Sequence, residues 1–337
     1  MKKKLPAILL STAALALITI GIAACGKNTP AAGDLTTVTL NEVAHSIFYA
    51  PQYVAIEKGY FEEEGIDLQL VTGFGADKVM TAVLSGEADI GFMGSESSIY
   101  VYSQNPDDSI INFAQLTQRA GNFLVAREPM ENFQWSDLKG KDILGGRKGG
   151  MPQMVFEYIL KKHNLDPAED MNIDQSIDFG STAAAFSGGQ GDFTVEFEPS
   201  ASKLEKEGAG YVVASLGVDS GYVPYTAYSA KQSFLAENPE LIQGFTNALQ
   251  KGMDYVQNHT PEEIAEVIAP QFKETDLEDI TTIVTRYYEQ DTWKENLIFE
   301  EDSFTLLQDI LEEAGELPQR VPYEALVNTE FAEKAAE

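Results

Sequence analysis

The chain holds a single cysteine, Cys25, and only three histidines in 337 residues. One thiol cannot close an intrachain disulfide, and a thiolate metal site has nothing to be built from. Catalytic signatures are missing too: there is no GxSxG elbow and no HExxH zinc helix. The glycine-rich run GGRKGGM (145–151) lacks the GxxxxGKS or GxxxxGKT order of a nucleotide loop, which excludes ATP binding of that kind. Positive charge is scarce. Lys and Arg number 23 against 53 Asp and Glu, a formal net charge of -30, and such a field repels nucleic acid and anionic lipid heads. What remains is ordinary for packed protein, 44% hydrophobic and 23% charged, at a length that suits about two domains.

The first 25 residues carry targeting information. Lys2, Lys3 and Lys4 precede an uncharged, mostly apolar stretch from Leu5 to Ala24, long enough to span a bilayer if left uncleaved. It ends in Ile22-Ala23-Ala24-Cys25-Gly26, which resembles the lipobox of bacterial lipoproteins. That resemblance implies a signal peptide over 1–24 and an acylated Cys25 held at the extracytoplasmic membrane face. Residues 25–35, small, polar and containing Pro30, suit a flexible tether.

From Thr36 the pattern alternates. TTVTLNEV (36–43), IDLQLV (66–71) and ADIGFM (88–93) read as strands. Between and after them, 49–61, 76–84 and 95–104 read as helices, with Gly86 placed to end the second. A second set follows. Here 142–146, 171–179, 192–197 and 211–216 read as strands, and 151–163 and 181–188 as helices. This alternation is the signature of an α/β fold with a parallel or mixed sheet. The last third is helical. Thr260-Pro261-Glu262-Glu263 and Thr275-Asp276-Leu277-Glu278 have capping-box spacing. Ile280, Ile283, Val284 and Tyr287, then Phe304, Leu307, Leu311 and Ala314, form apolar stripes that belong to a core.

One stretch is written twice. SGEADIGFMGSES (85–97) and SGGQGDFTVEFEPSAS (187–202) place Asp89 on Asp192, Gly86 on Gly189 and Ile90 on Phe193. Ligands of open α/β sheets sit outside the carboxyl ends of strands. Two such ends facing each other across a hinge make a cleft that closes on a small solute.

The run HSIFYAPQYVAIEKGYFEEEGIDLQLV, followed by GFGADKVMTAVLSGEADIGFMG, resembles the N-terminal signature of the SsuA/TauA/NMT1-THI5-like solute-binding proteins, and GDFTVEFEPSA is similar to their second-lobe pattern. The resemblance runs from Thr36 to about Tyr225 and loosens in the helical tail. It implies a two-lobed type II periplasmic-binding-protein fold with a central cleft and a helical C-terminal portion. Lobe 1 would take 36–123 plus 226–337 and lobe 2 124–225, with hinge crossings near Leu124 and Thr226. It further implies a cofactor-free, monomeric, non-enzymatic subunit serving an ABC permease and its ATPase, touching the membrane only through its lipid.

Family position puts Ser46, Phe48 and Tyr49 at the cleft floor, with Phe74, Ser95 and Glu96 at the next two strand ends. Ser95 equally suits a helix cap, Tyr49 and Phe74 suit core or pocket, and His45 suits an ordinary hydrogen-bonded role. From lobe 2, Arg147 and Lys148 sit in a glycine-rich turn that either cradles an anion or carries two solvated cations. Glu196 and Glu198, two apart on a strand, share a face, and Glu198 before Pro199 fits the family's acidic position. Glu196 departs from the apolar residue common in sulfonate-type relatives. An acid there disfavours an anionic sulfonate or nitrate and suits an amine or a nitrogen heterocycle such as a thiamine pyrimidine, while Arg147 and Lys148 as an anion site keep sulfonate, taurine and nitrate open. Phe48, Tyr49, Phe74, Phe186, Phe197, Tyr222 and Tyr225 are available to stack on such a ring. Two other classes stay open. One is a pyrimidine-forming enzyme like the THI5 relatives, which the missing cysteine cluster argues against. The other is a sensor that reports solute to a membrane receptor.

Overall fold

A computed structural model of the chain describes residues 35–102, 104, 108–178 and 180–337. The expected signal segment (1–24), Cys25 and all but the last residue of the tether lie outside the described residues. Among those described, no helix is long and apolar enough to cross a membrane.

Two five-stranded sheets carry the fold. The first uses β1 (Thr36–Glu42), β2 (Ile66–Thr72), β3 (Ile90–Gly94), β4 (Ile110–Gln115) and, from far along the chain, β10 (Thr226–Lys231). Its order is β2-β1-β3-β10-β4. The second uses β5 (Asn122–Ala126), β6 (Asp142–Leu144), β7 (Asn172–Asp174), β8 (Phe193–Phe197) and β9 (Tyr211–Ser215), in the order β7-β6-β8-β5-β9. Each sheet pairs three strands in parallel and sets one antiparallel strand, β10 or β5, inside the outermost.

Helices α1 (Ala50–Glu57), α2 (Tyr60–Glu63), α3 (Ala76–Ser85) and α4 (Glu96–Tyr102) serve the first sheet. The second has α5 (Met151–Lys162), α6 (Thr182–Ser187), α7 (Ser200–Lys206) and α8 (Leu216–Ser220). The tail adds α9 (Gln232–Glu237), α10 (Pro239–Asn258), α11 (Pro261–Ile268), α12 (Leu277–Glu289), α13 (Glu301–Glu313) and α14 (Glu330–Ala335). Both predicted tail stripes turn inward, with Ile280, Ile283, Val284, Tyr287, Phe304, Leu307 and Leu311 buried. The long helix α10 packs on α1, α2 and α14, while α13 touches both α4 and α5 and so spans the two halves.

The doubled sequence is a doubled device. The Asp89 carboxylate accepts the Thr39 backbone N–H at 2.8 Å, and the Asp89 N–H donates to the Thr39 carbonyl. The Asp192 carboxylate accepts the Asp142 N–H at 3.1 Å, and its own N–H returns to the Asp142 carbonyl. Each aspartate thus locks the entry of a central parallel strand to its neighbour. Gly86 (φ 80°) and Gly189 (φ 96°) make the left-handed turn out of the preceding helix.

Several expectations need correction. The helix over 49–61 is broken: a 3₁₀ turn at Ile47–Tyr49 leads into α1, and Gly59 at φ 71° separates α1 from α2. The strand over 171–179 stops at Asp174, whose carboxylate turns to accept the N–H and hydroxyl of Ser176. Strands β4, β5 and β10 are additions. Thr260 and Glu263 form the capping box, but Asp276 precedes α12 without a side-chain cap and instead pairs, with Asp279, to Lys206 at 3.1 and 2.6 Å. Leu124 lies inside β5, so the first passage between sheets runs through 116–121 and the second through 216–225.

Candidate functional site

The carboxyl ends of the parallel strands of both sheets face a common space. A narrow inner recess has Tyr49, Glu96 and Tyr225 on one side and Arg147, Met151 and Phe197 on the other. A neighbouring recess shares Arg147, Pro152 and Phe197 and adds Asn122, Thr182, Glu196 and Ser200. Outward from Glu96 and Arg147, a broad groove of about 1310 Å³ opens between α3, α4 and the β6–α5 turn. Arg147 touches all three spaces.

The walls of the inner recess are aromatic for a packing reason. Phe48 is fully buried behind them, its ring 5.2 Å from Tyr49, 5.6 Å from Phe197, 5.7 Å from Tyr225 and 5.3 Å from Tyr287. The Trp293 indole N–H donates to the Phe48 carbonyl at 2.8 Å and holds that turn against the tail. The Tyr225 hydroxyl hydrogen-bonds Asn122 Oδ1, joining the start of β10 to the start of β5. Burial pushes the Tyr49 and Tyr225 hydroxyls well above the usual phenol range, so both stay neutral donors.

Two carboxyl groups enter these recesses. Burial pushes Glu96 up to about 7, against the backbone N–H groups of Glu96 and Met151 and the Arg147 charge, which favour the ionised form. Its Oε2 finds no hydrogen-bond partner among the described residues. Burial likewise pushes Glu196 up to about 7, although the Thr194 and Thr182 hydroxyls hold its ionised form. Arg147, whose charge acts on Glu96, is tied to Asp77 across the mouth at 3.1 Å. A second cross-mouth contact runs from the Tyr100 hydroxyl to the Gly149 carbonyl at 3.1 Å.

The structure therefore brings Tyr49, Glu96, Arg147, Glu196 and Tyr225 to one place. Lys148 lies further out, in the groove, 3.5 Å from Glu316. Phe74 stands at the rim, 55% exposed and held at φ 55°, beside Gly75 of the inner recess. Other expected contacts are spent elsewhere. His45 bridges Glu42 at 2.8 Å and the Gln271 carbonyl at 2.9 Å. Ser46 donates to the Glu198 carbonyl at 2.6 Å, and Ser95 to the Pro224 carbonyl at 3.4 Å. Tyr222 is exposed, bonded to Asp291 and stacked under Arg119. Phe186 is buried under Arg127 rather than lining a recess.

Glu196 and Glu198 do not act on one face. β8 ends at Phe197, and the chain turns at Pro199, so Glu198 leaves the recess and pairs with Arg286 of α12 at 2.7 Å while accepting from Ser202. Asn122, Met151, Pro152 and Thr182 were not singled out from the sequence. Asn122 carried a readable signal, as a lone amide opening an otherwise apolar strand; the others did not.

Chemically, the site offers stacking faces, neutral phenols and acceptor oxygens. Among the described residues no group of three or more His, Cys, Asp and Glu is arranged to hold a metal ion.

A family profile described as NMT1/THI5 like matches residues 47–264. The chain is 50% identical over 300 residues to the putative binding protein YtlA of Bacillus subtilis, covering 89% of this chain and 90% of that one. It is 27% identical over 221 residues to the 4-amino-5-hydroxymethyl-2-methylpyrimidine phosphate synthase of Aspergillus parasiticus, covering 62% and 63%. The structure superposes on the alkanesulfonate-binding protein SsuA of Xanthomonas axonopodis pv. citri with a TM-score of 0.70 at 16% identity, covering 88% of this chain and 100% of that one.

Proposed function

Because the chain belongs to the NMT1/THI5-like family, we propose that it is the solute-capturing subunit of an ABC-type importer, closing two lobes on one small nitrogen heterocycle. Lobe 1 comprises the first sheet with most of the helical tail, lobe 2 the second sheet, and the 116–121 and 216–225 passages are the hinge. The observation that carries this reading is the recess itself. Aromatic rings from both halves, Tyr49 and Tyr225 from one and Phe197 from the other, line it beside a buried carboxyl group with a free acceptor oxygen. A flat ring stacks between such walls, and its exocyclic N–H groups donate to Glu96 and Glu196.

The putative binding protein at 50% identity supports a binding role, and the pyrimidine synthases among the distant relatives support a pyrimidine-like solute. An enzymatic reading is weaker, since the one cysteine sits near the N-terminus at Cys25 and no cysteine-rich run exists to supply chemistry. Acylation of Cys25 would keep the subunit beside its permease and ATPase on the outer face of the membrane.

The test uses the full chain in detergent. Mass spectrometry identifies whatever co-purifies, and thermal unfolding is then followed with 4-amino-5-hydroxymethyl-2-methylpyrimidine, taurine, methanesulfonate and nitrate. A pyrimidine at a hundredfold its Kd stabilises by about 2.7 kcal/mol through mass action. A rise in melting temperature with sulfonates alone refutes the heterocycle. Turnover of the pyrimidine refutes the binding-only role.

A further inference from the structure

Gly94 closes β3 in ordinary strand backbone, so no left-handed φ explains a glycine there. Its neighbourhood does. A Cβ at this position would overlap both carboxylate oxygens of Glu96, which folds back over the strand end. Position 94 is empty so that this carboxylate can lie where it does.

It lies against the start of α5. Burial raises the Glu96 carboxyl, and the Met151 backbone N–H, first of that twelve-residue helix, and the Arg147 charge from the preceding turn oppose it in favour of the ionised form. A helix start beside an arginine is the natural seat for an anion, because unpaired N–H groups and the positive dipole end converge there. Here the chain supplies the anion itself, from the opposite half of the molecule. Glu96 Oε2 is buried, lines the recess and has no hydrogen-bond partner among the described residues.

We propose that Glu96 sets ligand specificity as a tethered anion. It fills the anion seat at the start of α5 and offers Oε2 to the solute, so the cleft accepts neutral or cationic N–H donors and refuses sulfonates, nitrate and phosphates. This rests on the reading of the cleft as a solute site. Above pH 7, where Glu96 is ionised, its carboxylate cannot donate, so an incoming oxyanion meets like charge and gains no hydrogen bond from it, and the titrations below are run at pH 8.5 for that reason. A like-charge clash of this kind is worth several kcal/mol.

The test is calorimetric titration of the full chain and its Glu96→Ala, Glu96→Gln and Gly94→Ala variants with methanesulfonate and with 4-amino-5-hydroxymethyl-2-methylpyrimidine. The wild type should bind methanesulfonate weakly or not at all. Glu96→Ala and Glu96→Gln should bind it about 100-fold more tightly or better. Gly94→Ala displaces the carboxylate without deleting it and should move affinity the same way by less. Adding Arg147→Met to Glu96→Ala should abolish the gain. The proposal is overturned if the wild type binds methanesulfonate as tightly as Glu96→Ala. It is equally overturned if both Glu96 variants keep wild-type melting temperatures and gain nothing. Should the pyrimidine bind no form while the Glu96 variants gain methanesulfonate, the specificity role stands and the pyrimidine reading falls.

Discussion

Replacing Arg286 by methionine tests how the helical tail is fastened to the second sheet. The Glu198 carboxylate is fully buried and takes the Arg286 guanidinium at 2.7 Å, the Ser202 N–H at 2.8 Å and the Ser202 hydroxyl at 2.9 Å. Arg286 also reaches Glu205 at 2.8 Å, and its side chain is 30% exposed. Methionine matches the stem but leaves Glu198 with only the two serine donors in a dry site. Breaking a buried pair by removing one partner costs about 3–5 kcal/mol. Solvent at the guanidinium screens part of that, which places the expected loss near the lower end, about 3 kcal/mol. Glu198→Gln keeps an acceptor for Ser202 and removes the charge, so the double variant should recover part of the loss and show about 1–3 kcal/mol of coupling. Urea unfolding at neutral pH, followed by tryptophan fluorescence, measures all three. A loss under about 1 kcal/mol for Arg286→Met, or strict additivity in the double variant, refutes the claim that this pair is desolvated.

Three further outcomes are expected. Burial alone would lower the His45 pKa, but bonds to Glu42 and the Gln271 carbonyl raise it above 6.5 overall. Its contribution is therefore complete below about 6.5 and lost as pH rises through the raised value, and the melting temperature of His45→Gln should lack that decline. Glu196 keeps its proton up to about 7 when folded but releases it near 4.5 when unfolded, so stability falls as pH rises through that window. At pH 8 Glu196→Gln should be the more stable protein by up to about 3 kcal/mol, a gain absent at pH 4 in parallel denaturant titrations. Gly252 of α10 lies against the Pro51 carbonyl of α1, where a Cβ would overlap backbone. Gly252→Ala should cost about 1–3 kcal/mol, and a denaturation midpoint unchanged from wild type would contradict that close approach.

Much of the architecture was legible because the strand and helix periods alternate cleanly in 36–104 and 142–216. IINFAQ, NFLVA and TAYSAK escaped because β4, β5 and β10 take their identity from pairing with strands far along the chain, which no local pattern records. The same non-locality displaced the first hinge passage. In the site, Glu96, Arg147 and Tyr225 were readable as residues at strand ends and turns. The turns of Ser46, Ser95 and Glu198 away from the recess were not, because spacing gives position along the chain but not the partner that captures a side chain. Glu198 shows this most clearly: its strand parity pointed inward, and a proline one residue later handed it to Arg286.

The order of strands also dictates a timetable. The second sheet is drawn wholly from 122–215, so it can assemble as soon as that stretch has emerged. The first cannot, since β3 and β4 never pair with each other and stay as bare edges until β10 arrives to fill the gap between them. A polypeptide threaded N-terminus first thus spends over a hundred residues with two unsatisfied ladders on display, the condition under which chains stick to one another. During synthesis the second sheet should accordingly mature before the first, and crowding should punish the interval before the gap is filled.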